Sequence, residues 1–467
     1  MLATSTENER DIFRVIIVRR AGTEVLLIPD GNRFRLPSVS IPRCQRVAEN
    51  LTAAVKSEWG QKVVCLFTLD HASAEVRGDQ VHYQVGEHRQ TGATRGRTQW
   101  VAEAGFSPNL FADQSDYKAV RHSMAICRDE TLNVEPGPFA RPGWFKELYQ
   151  WVEAVIEREG FHLNGEFRQL NASPTFSLIR FETDGPVFWF KAVGEPNQRE
   201  FPITRTLAGL FPDYVPPIVA ERPDWNGWLT KQAEGTNLDE TQECALWEAA
   251  AAALAEIQIE SIGHREQILA SGAHDLRTES LADLIQPFME TMELLMDQQT
   301  KIPPAILGRA ELAVLGKRVQ DVLDVLTSFD IPNTLGHLDL NPGNILVSGT
   351  QCAFLDWAEA YVGHPFLSLQ YLLEHGRRAH ESNAVVEARL VESYRERWER
   401  VVSRSAIDVA FELTPLLAVF AYAAGTNLWR DPERPQHPAT AGYVRSLTRR
   451  MNREAELLEA RRSVCAQ

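Results

Sequence analysis

The sequence predicts an α+β protein in three successive parts: a small mixed α/β head, a small strand-rich lobe and a large helical lobe. Three observations carry this expectation. Up to about residue 130, short apolar runs rich in β-branched residues alternate with a helical segment. The stretch NVEPGPFARPG at 133–143 then breaks the chain with three prolines and two glycines and reads as a linker. Beyond it come two strand-like runs joined by turn residues, and from about 237 onward the periodicity is mostly helical.

In order, IFRVIIVRR (12–20) and TEVLLIPD (23–30) flank Ala21-Gly22 and read as a hairpin. Residues 46–60 read as a helix with Val47, Leu51, Ala54, Val55 and Trp59 near one face, and 62–69 and 81–87 as strands. After the linker, 144–160 is a helix that Gly160 can end. The runs 175–183 and 187–193 form a hairpin across Asp184-Gly185. Residues 195–211 read as a helix, IVAERP (218–223) and WNGWLT (225–230) as strands, and 238–258 as a helix of strong intrinsic propensity. The parts therefore fall at 1–132, 133–143, 144–235 and 236–467.

Composition narrows the function classes. A chain of 467 residues with 44% hydrophobic and 24% charged residues has ample material for a buried core, which excludes wholesale disorder. The most apolar run, 415–424, is shorter than the ~20 residues of a membrane span. The N-terminus MLATSTENERDIF lacks the basic and apolar regions of a signal peptide, so no membrane association is expected. The six cysteines are scattered without a C-x-x-C pair, which points away from zinc or a disulfide framework and towards a reduced, cytoplasmic protein. Of the net charge of −15, residues 1–130 carry about +1 and 131–467 about −16, with about −12 in 231–340. No basic stripe stands out, so no nucleic-acid partner is expected. The acidic segment either favours a cationic small molecule through its long-range field or serves solubility alone.

The most informative segment is GHLDLNPGNILVSGTQCAFLDWAEA (336–360), which sets out His337, Asp339, Asn344 and Asp356 as H-x-D-x-x-x-x-N and then D-W. NILV (344–347) and CAFLDW (352–357) are strand-like and joined by Ser348-Gly349-Thr350, so a hairpin would bring Asn344 and Asp356 to one end. Phosphoryl transfer needs metal ions against the phosphate charge and a carboxylate that orients a hydroxyl nucleophile. Asn344 and Asp356 offer hard oxygen ligands suited to Mg²⁺. Asp339 is placed to accept the proton of the attacking hydroxyl, and His337 to brace the loop by hydrogen bonds. No G-x-S-x-G nucleophile elbow and no Walker A motif occurs.

HLDLNPGNIL followed by FLDW resembles the signature of the aminoglycoside phosphotransferase and choline kinase-like family, with Leu338 where the family commonly has glycine. The resemblance spans roughly 145–467. It implies a bilobal protein-kinase-like fold and transfer of the γ-phosphate of ATP, with Mg²⁺, to a small-molecule hydroxyl. It further implies a phosphate-binding Lys191, which by itself would read as a solvent-facing strand cap, paired with Glu200; Glu195 is the competitor for that pairing. A phosphate-covering loop would lie at 171–177, where Ser173, Thr175 and Ser177 either donate to phosphate or are ordinary turn residues. The adenine-binding hinge would lie near Lys231, Gln232 and Ala233, through mainly backbone contacts.

Residues 12–130 resemble a Nudix fold in element order. With the final glycine of a Nudix box at Gly60, the box Arg-Glu falls on Ala53-Ala54, the Glu-Glu pair on Ser57-Glu58, the earlier Glu on Gln45 and the first Gly on Val39. Only Glu58 and Gly60 match, and one carboxylate is a poor Mg²⁺ site. A catalytically silent Nudix-like domain is expected, with some other small α/β fold as the alternative and a working Nudix hydrolase as the remote one. For the whole chain the leading expectation is an ATP- and Mg²⁺-dependent kinase for an aminoglycoside-, aminosugar- or amino-alcohol-like acceptor. Its rival is a pseudokinase used as a nucleotide-binding or scaffold module.

Overall fold

The structure is a computed structural model that describes residues 10–43, 46–69, 75–76, 79–91, 97–128, 137–426, 429–430 and 438–465. Two compact units divide the chain. One comprises Met1–Phe201 with Ile218–Gln232, the other Pro202–Pro217 with Ala233–Gln467.

In the first unit the head is an eight-stranded mixed sheet. Arg10–Arg19 lies at its centre, antiparallel to Glu24–Asp30 and parallel to Asp79–Thr91, with the expected hairpin closing at Val18↔Val25. Its turn runs through positive φ at Arg20, Ala21 and Gly22, the conformation that twists two strands back on each other. The helix Val47–Trp59 ends at Gly60, whose φ of 67° suits a residue without Cβ. Leu51 and Val55 bury one face of that helix, while Ala53, Ser57 and Glu58 are exposed; Gln45 lies outside the described residues. A second head helix, Gln114–Cys127, is not legible as apolar periodicity because its inward face includes charge. Asp116 is buried and accepts hydrogen bonds from Arg14 Nη1 at 2.5 Å and Tyr83 Oη at 2.9 Å.

The small lobe is a five-stranded antiparallel sheet. The hairpin across Asp184-Gly185 forms between Ser177–Thr183 and Phe188–Ala192. Ahead of it stands Leu163–Ala172, a strand the apolar pattern does not reveal. Its polarity is used internally. Gln169 is 2% exposed, and its side-chain amide accepts from Cys65 N–H at 2.8 Å and donates to Cys65 C=O at 3.1 Å. Cys65 sits on Gln61–Leu69, the last strand along the head sheet's main path, so one glutamine satisfies backbone groups that no further strand pairs. Lys62–Glu166 at 3.0 Å and Arg168–Glu49 tie the same seam at its rim.

A single hydrophobic cluster runs from head to small lobe, joining Val64, Leu66 and Tyr83 to Phe145, Phe181 and Phe190. The linker reading of 133–143 changes accordingly. Residues 133–136 lie outside the described residues, but Phe139 and Ala140 are buried in that cluster. Phe139 N–H also donates to Pro174 C=O at 3.1 Å, so apolar burial makes the end of the proline-rich stretch part of the core. Gln169→Leu should keep the volume but strand the amide and carbonyl of Cys65. At ~1–3 kcal/mol for each of the two buried unsatisfied groups, urea unfolding should show a loss of about 2–6 kcal/mol.

The second unit is mainly helical around one large core that includes Trp247, Phe288, Leu323, Trp357 and Phe420. Two boundaries differ from the sequence expectation. The helix expected at 238–258 begins at Cys244, because Thr236–Asn237 pairs with the strand Ile345–Ser348 and a single 3₁₀ turn at Leu238–Glu240 follows. The helix expected at 195–211 begins at Glu200, after consecutive turns in which Asn197 and Glu200 N–H groups bond Gly194 and Asn197 carbonyls. The apolar run 415–424 belongs to a longer helix, Arg404–Gly425. By length and composition it suffices to cross a membrane, with mean hydropathy 1.6, yet 67% of that window is buried within the protein.

Candidate active site

Phe188–Ala192 alternates buried and half-buried residues, and Phe188, Phe190 and Ala192 join the core. The period of two therefore puts Lys191 on the opposite face. Lys191 Nζ donates to Glu200 Oε1 at 2.5 Å. Glu200 is the first residue of its helix and 2% exposed, so the ammonium and the helix N-terminus together stabilise its charge. Glu195, the sequence-level competitor, is exposed and accepts from Gln198 instead.

In the second unit, Thr334–His337 pairs antiparallel with Ala360–Gly363. A Cβ on Gly336 would come within 2.0 Å of the Tyr361 ring, so the strand can pass there only without a side chain. Leu338 and Leu340 are then buried, at 2% and 1%, while Asp339 between them is exposed. The Leu338 departure from the family pattern is thus a core contact, packed 3.5 Å from where a Gly425 Cβ would stand. The expected hairpin follows. Ile345–Ser348 pairs with Gln351–Phe354 across Gly349, whose φ is 61°. At its open end Leu355 N–H donates to Asn344 C=O at 2.8 Å, which sets Asn344 and Asp356 at the same end. Asn344 Nδ2 donates to Asp339 C=O at 3.1 Å, which draws Asp339 into the group.

Asp356 adopts φ 61° and ψ 60°, a left-handed conformation that costs an ordinary L-residue roughly 1–2 kcal/mol. Such strain is kept where geometry is functional, and Asp tolerates it better than most residues. Trp357, 2% exposed, lies beneath this end with its ring 4.9 Å from the His337 ring. His337 Nδ1 accepts from Asp339 N–H at 3.1 Å, so its proton is on Nε2, which faces Leu355 C=O at 3.0 Å. Burial depresses its pKa, keeping the ring neutral as a brace.

Gln232 and Ala233 fall where the chain passes between units, and Gln232 N–H is already bonded to Val187 C=O at 2.9 Å. Ser173 Oγ accepts from Phe176 N–H at 3.0 Å and so acts as a turn residue, while Ser177 is buried in the sheet. Asn341 was not singled out from the sequence. Its Nδ2 reaches Asp339 Oδ1 at 3.2 Å while its Oδ1 takes Gly343 N–H at 3.0 Å, which fixes the carboxylate's orientation. The Asn-Pro-Gly run, rich in turn formers, was the available signal. Also missed was a cavity of about 780 Å³ that opens at Asp339. Its walls come from Phe366–Ala379, Ala384–Trp398, Arg404–Gly425 and Pro438–Cys465. Of the many acidic residues in 231–340, Asp339 alone is among its lining residues, because a window of sequence sums charges from every face of its helices.

His364 is 5% exposed, and its Nδ1 accepts from Phe366 N–H at 3.3 Å, which is turn chemistry as expected. Burial lowers its pKa from 6.5 to about 3. A histidine held neutral in the fold takes up its proton more readily when unfolded, so stability is full above pH 6.5 and declines as pH falls towards 3. Between pH 7 and 5 this group alone should remove about 2 kcal/mol, read as a shift in urea midpoint that His364→Asn diminishes.

A carboxylate beside a cavity, with an amide oxygen and a second carboxylate at the end of one hairpin, fits the chemistry of the phosphotransferase class. Residues 227–401 match the family described as the phosphotransferase enzyme family. The match contains Asp339, Asn344 and Asp356 and leaves out Lys191 and Glu200. No curated protein matches the sequence. Similar solved structures include the macrolide 2'-phosphotransferase MphH from Brachybacterium faecium, at 17% identity over 64% of this chain and 97% of that one, with a TM-score of 0.42. A choline/ethanolamine kinase family protein from Mesorhizobium loti is 14% identical over 67% and 99%, with a TM-score of 0.43. A spectinomycin phosphotransferase in complex with ADP and spectinomycin is 12% identical over 66% and 98%, with a TM-score of 0.40.

Proposed function

We propose that the protein moves the γ-phosphate of ATP to a hydroxyl of a small molecule with the help of Mg²⁺. The observation that carries this reading is the hairpin end, where Asn344 and a left-handed Asp356 stand with Asp339. Asp339 orients the acceptor hydroxyl and takes its proton as the oxygen attacks phosphorus and the bond to the ADP oxygen breaks. The amide oxygen of half-buried Asn344 and the carboxylate of exposed Asp356, both hard in character, fit Mg²⁺. Mg²⁺, when bound, would neutralise charge on the transferring group. Lys191, held by Glu200, would bind the α- and β-phosphates, and backbone groups near Gln232 and Ala233 would receive the adenine. For residues 1–132 we retain the reading of a catalytically silent, Nudix-like domain, supported by Glu58 as the one box glutamate present.

The test is ADP release from Mg·ATP by the purified protein and its Asp339→Ala variant, across aminoglycosides, amino alcohols, sugars and nucleosides. Stimulation by one acceptor that is lost in the variant supports the reading. A flat panel without ATP binding sinks it, and a flat panel with tight Mg·ATP binding favours the pseudokinase.

A further inference from the structure

The cavity at Asp339 holds charge in an arrangement that bears on the acceptor. Four of its lining residues are acidic and five are arginines. Glu387 is already gripped by Arg377 through two hydrogen bonds, at 2.8 and 2.5 Å. Arg395 is turned to Glu392 at 2.8 Å and Asp408 at 3.1 Å. Glu374 lies between two guanidinium groups, those of Arg378 and Arg450. Burial works against its charge, yet the hydrogen bond from Arg450 and the nearby positive charges keep its carboxyl below the ordinary value. One carboxylate shared by two arginines leaves a local positive excess at Glu374, and the whole lining, with Glu454 and Asp339 counted, keeps five arginines against four carboxylates. Each guanidinium has five N–H donors and uses few of them on Glu374. An ammonium group would meet repulsion there, whereas a carboxylate or phosphate would find planar donors shaped for it.

We propose that the acceptor carries an anionic group, received by Arg378 and Arg450, while its hydroxyl lies at Asp339. Tyr371, Phe411, Val419 and Tyr422 line the same cavity and would cover the body of the molecule. The inference rests on the phosphotransferase reading and goes against the cationic acceptor suggested by net charge.

The test uses four matched probes: glucuronate, glucose 6-phosphate, glucose and glucosamine. Binding of each is measured by calorimetry to the full chain with a non-hydrolysable Mg·ATP analogue present, and ADP release is followed with ATP. The expected result is that glucuronate or glucose 6-phosphate binds at least about tenfold more tightly than glucosamine. The preference should fall as salt rises and disappear in Arg450→Gln, with glucose binding retained. Arg378→Gln, on a largely exposed side chain, should reduce it too and guards against a folding defect at Arg450. Which of the two anions leads distinguishes a carboxylate from a phosphate acceptor. Equal or tighter binding of glucosamine, a preference that survives both variants, or binding of none of the four at millimolar concentration overturns the proposal. An arginine-dependent anion preference without ADP release from any acceptor would leave the charge inference standing and remove the phosphotransferase reading.

Discussion

Asp339→Ala is expected to lower the rate of phosphoryl transfer by about 10²–10⁴-fold, the usual contribution of a positioned acid or base. Nucleotide binding should change little. The physical case rests on how the loop is built. Leu338 and Leu340 anchor it in the core, and the exposed carboxylate between them is oriented from one side by Asn341. The backbone of Asp339 is fixed separately, through its N–H to His337 Nδ1 and its C=O to Asn344 Nδ2. On the proposed reading, removing the carboxylate deletes the group that accepts the hydroxyl proton and leaves its support in place. The measurement is kcat with the stimulating acceptor, beside the Kd for Mg·ATP. A variant that turns over normally would show that the base lies elsewhere.

Asp356→Asn should weaken Mg²⁺-dependent nucleotide binding by at least the 10–100-fold that loss of mere supporting groups around a metal causes. Asn tolerates a left-handed backbone as Asp does, so the hairpin end should hold its shape. Thermal stability should consequently stay close to that of the parent. The two readouts separate function from folding: calorimetric titration with ATP, with and without Mg²⁺, should lose the Mg²⁺ increment while the unfolding transition is unchanged. Retention of the increment would remove Asp356 from the metal site.

Much of this site was legible because its chemistry is local in the chain. The H-x-D-x-x-x-x-N run and the following hairpin lie within a single stretch of sequence, and the register Ile345↔Phe354 follows from a short turn that contains glycine. Lys191 and Glu200 were legible only through family resemblance, since a lysine near a strand end and one glutamate among several carry little signal. The structure decided between Glu200 and Glu195 by burial of one and exposure of the other. The two elements that escaped, Leu163–Ala172 and Gln114–Cys127, share a cause. Each hides polar groups in the interior, Gln169 against a strand edge and Asp116 against Arg14 and Tyr83. Apolar periodicity is blind to a polar residue whose partner is distant in sequence.

By itself the sequence determined most of the strands and helices, the hairpins and the run that carries His337, Asp339, Asn344 and Asp356. Those depend on neighbours a few residues apart, through backbone period and turn chemistry. Tertiary structure alone decided that the end of the proline-rich stretch is core, that a glutamine joins the head sheet to the small lobe, and that arginines grip Glu374 and Glu387 in the cavity at Asp339. Each of these depends on groups brought together from tens to more than a hundred residues away, such as Gln169 with Cys65 and Arg450 with Glu374. Burial and charge pairing are settled by which faces meet, and net charge or composition along a window averages over faces that never do.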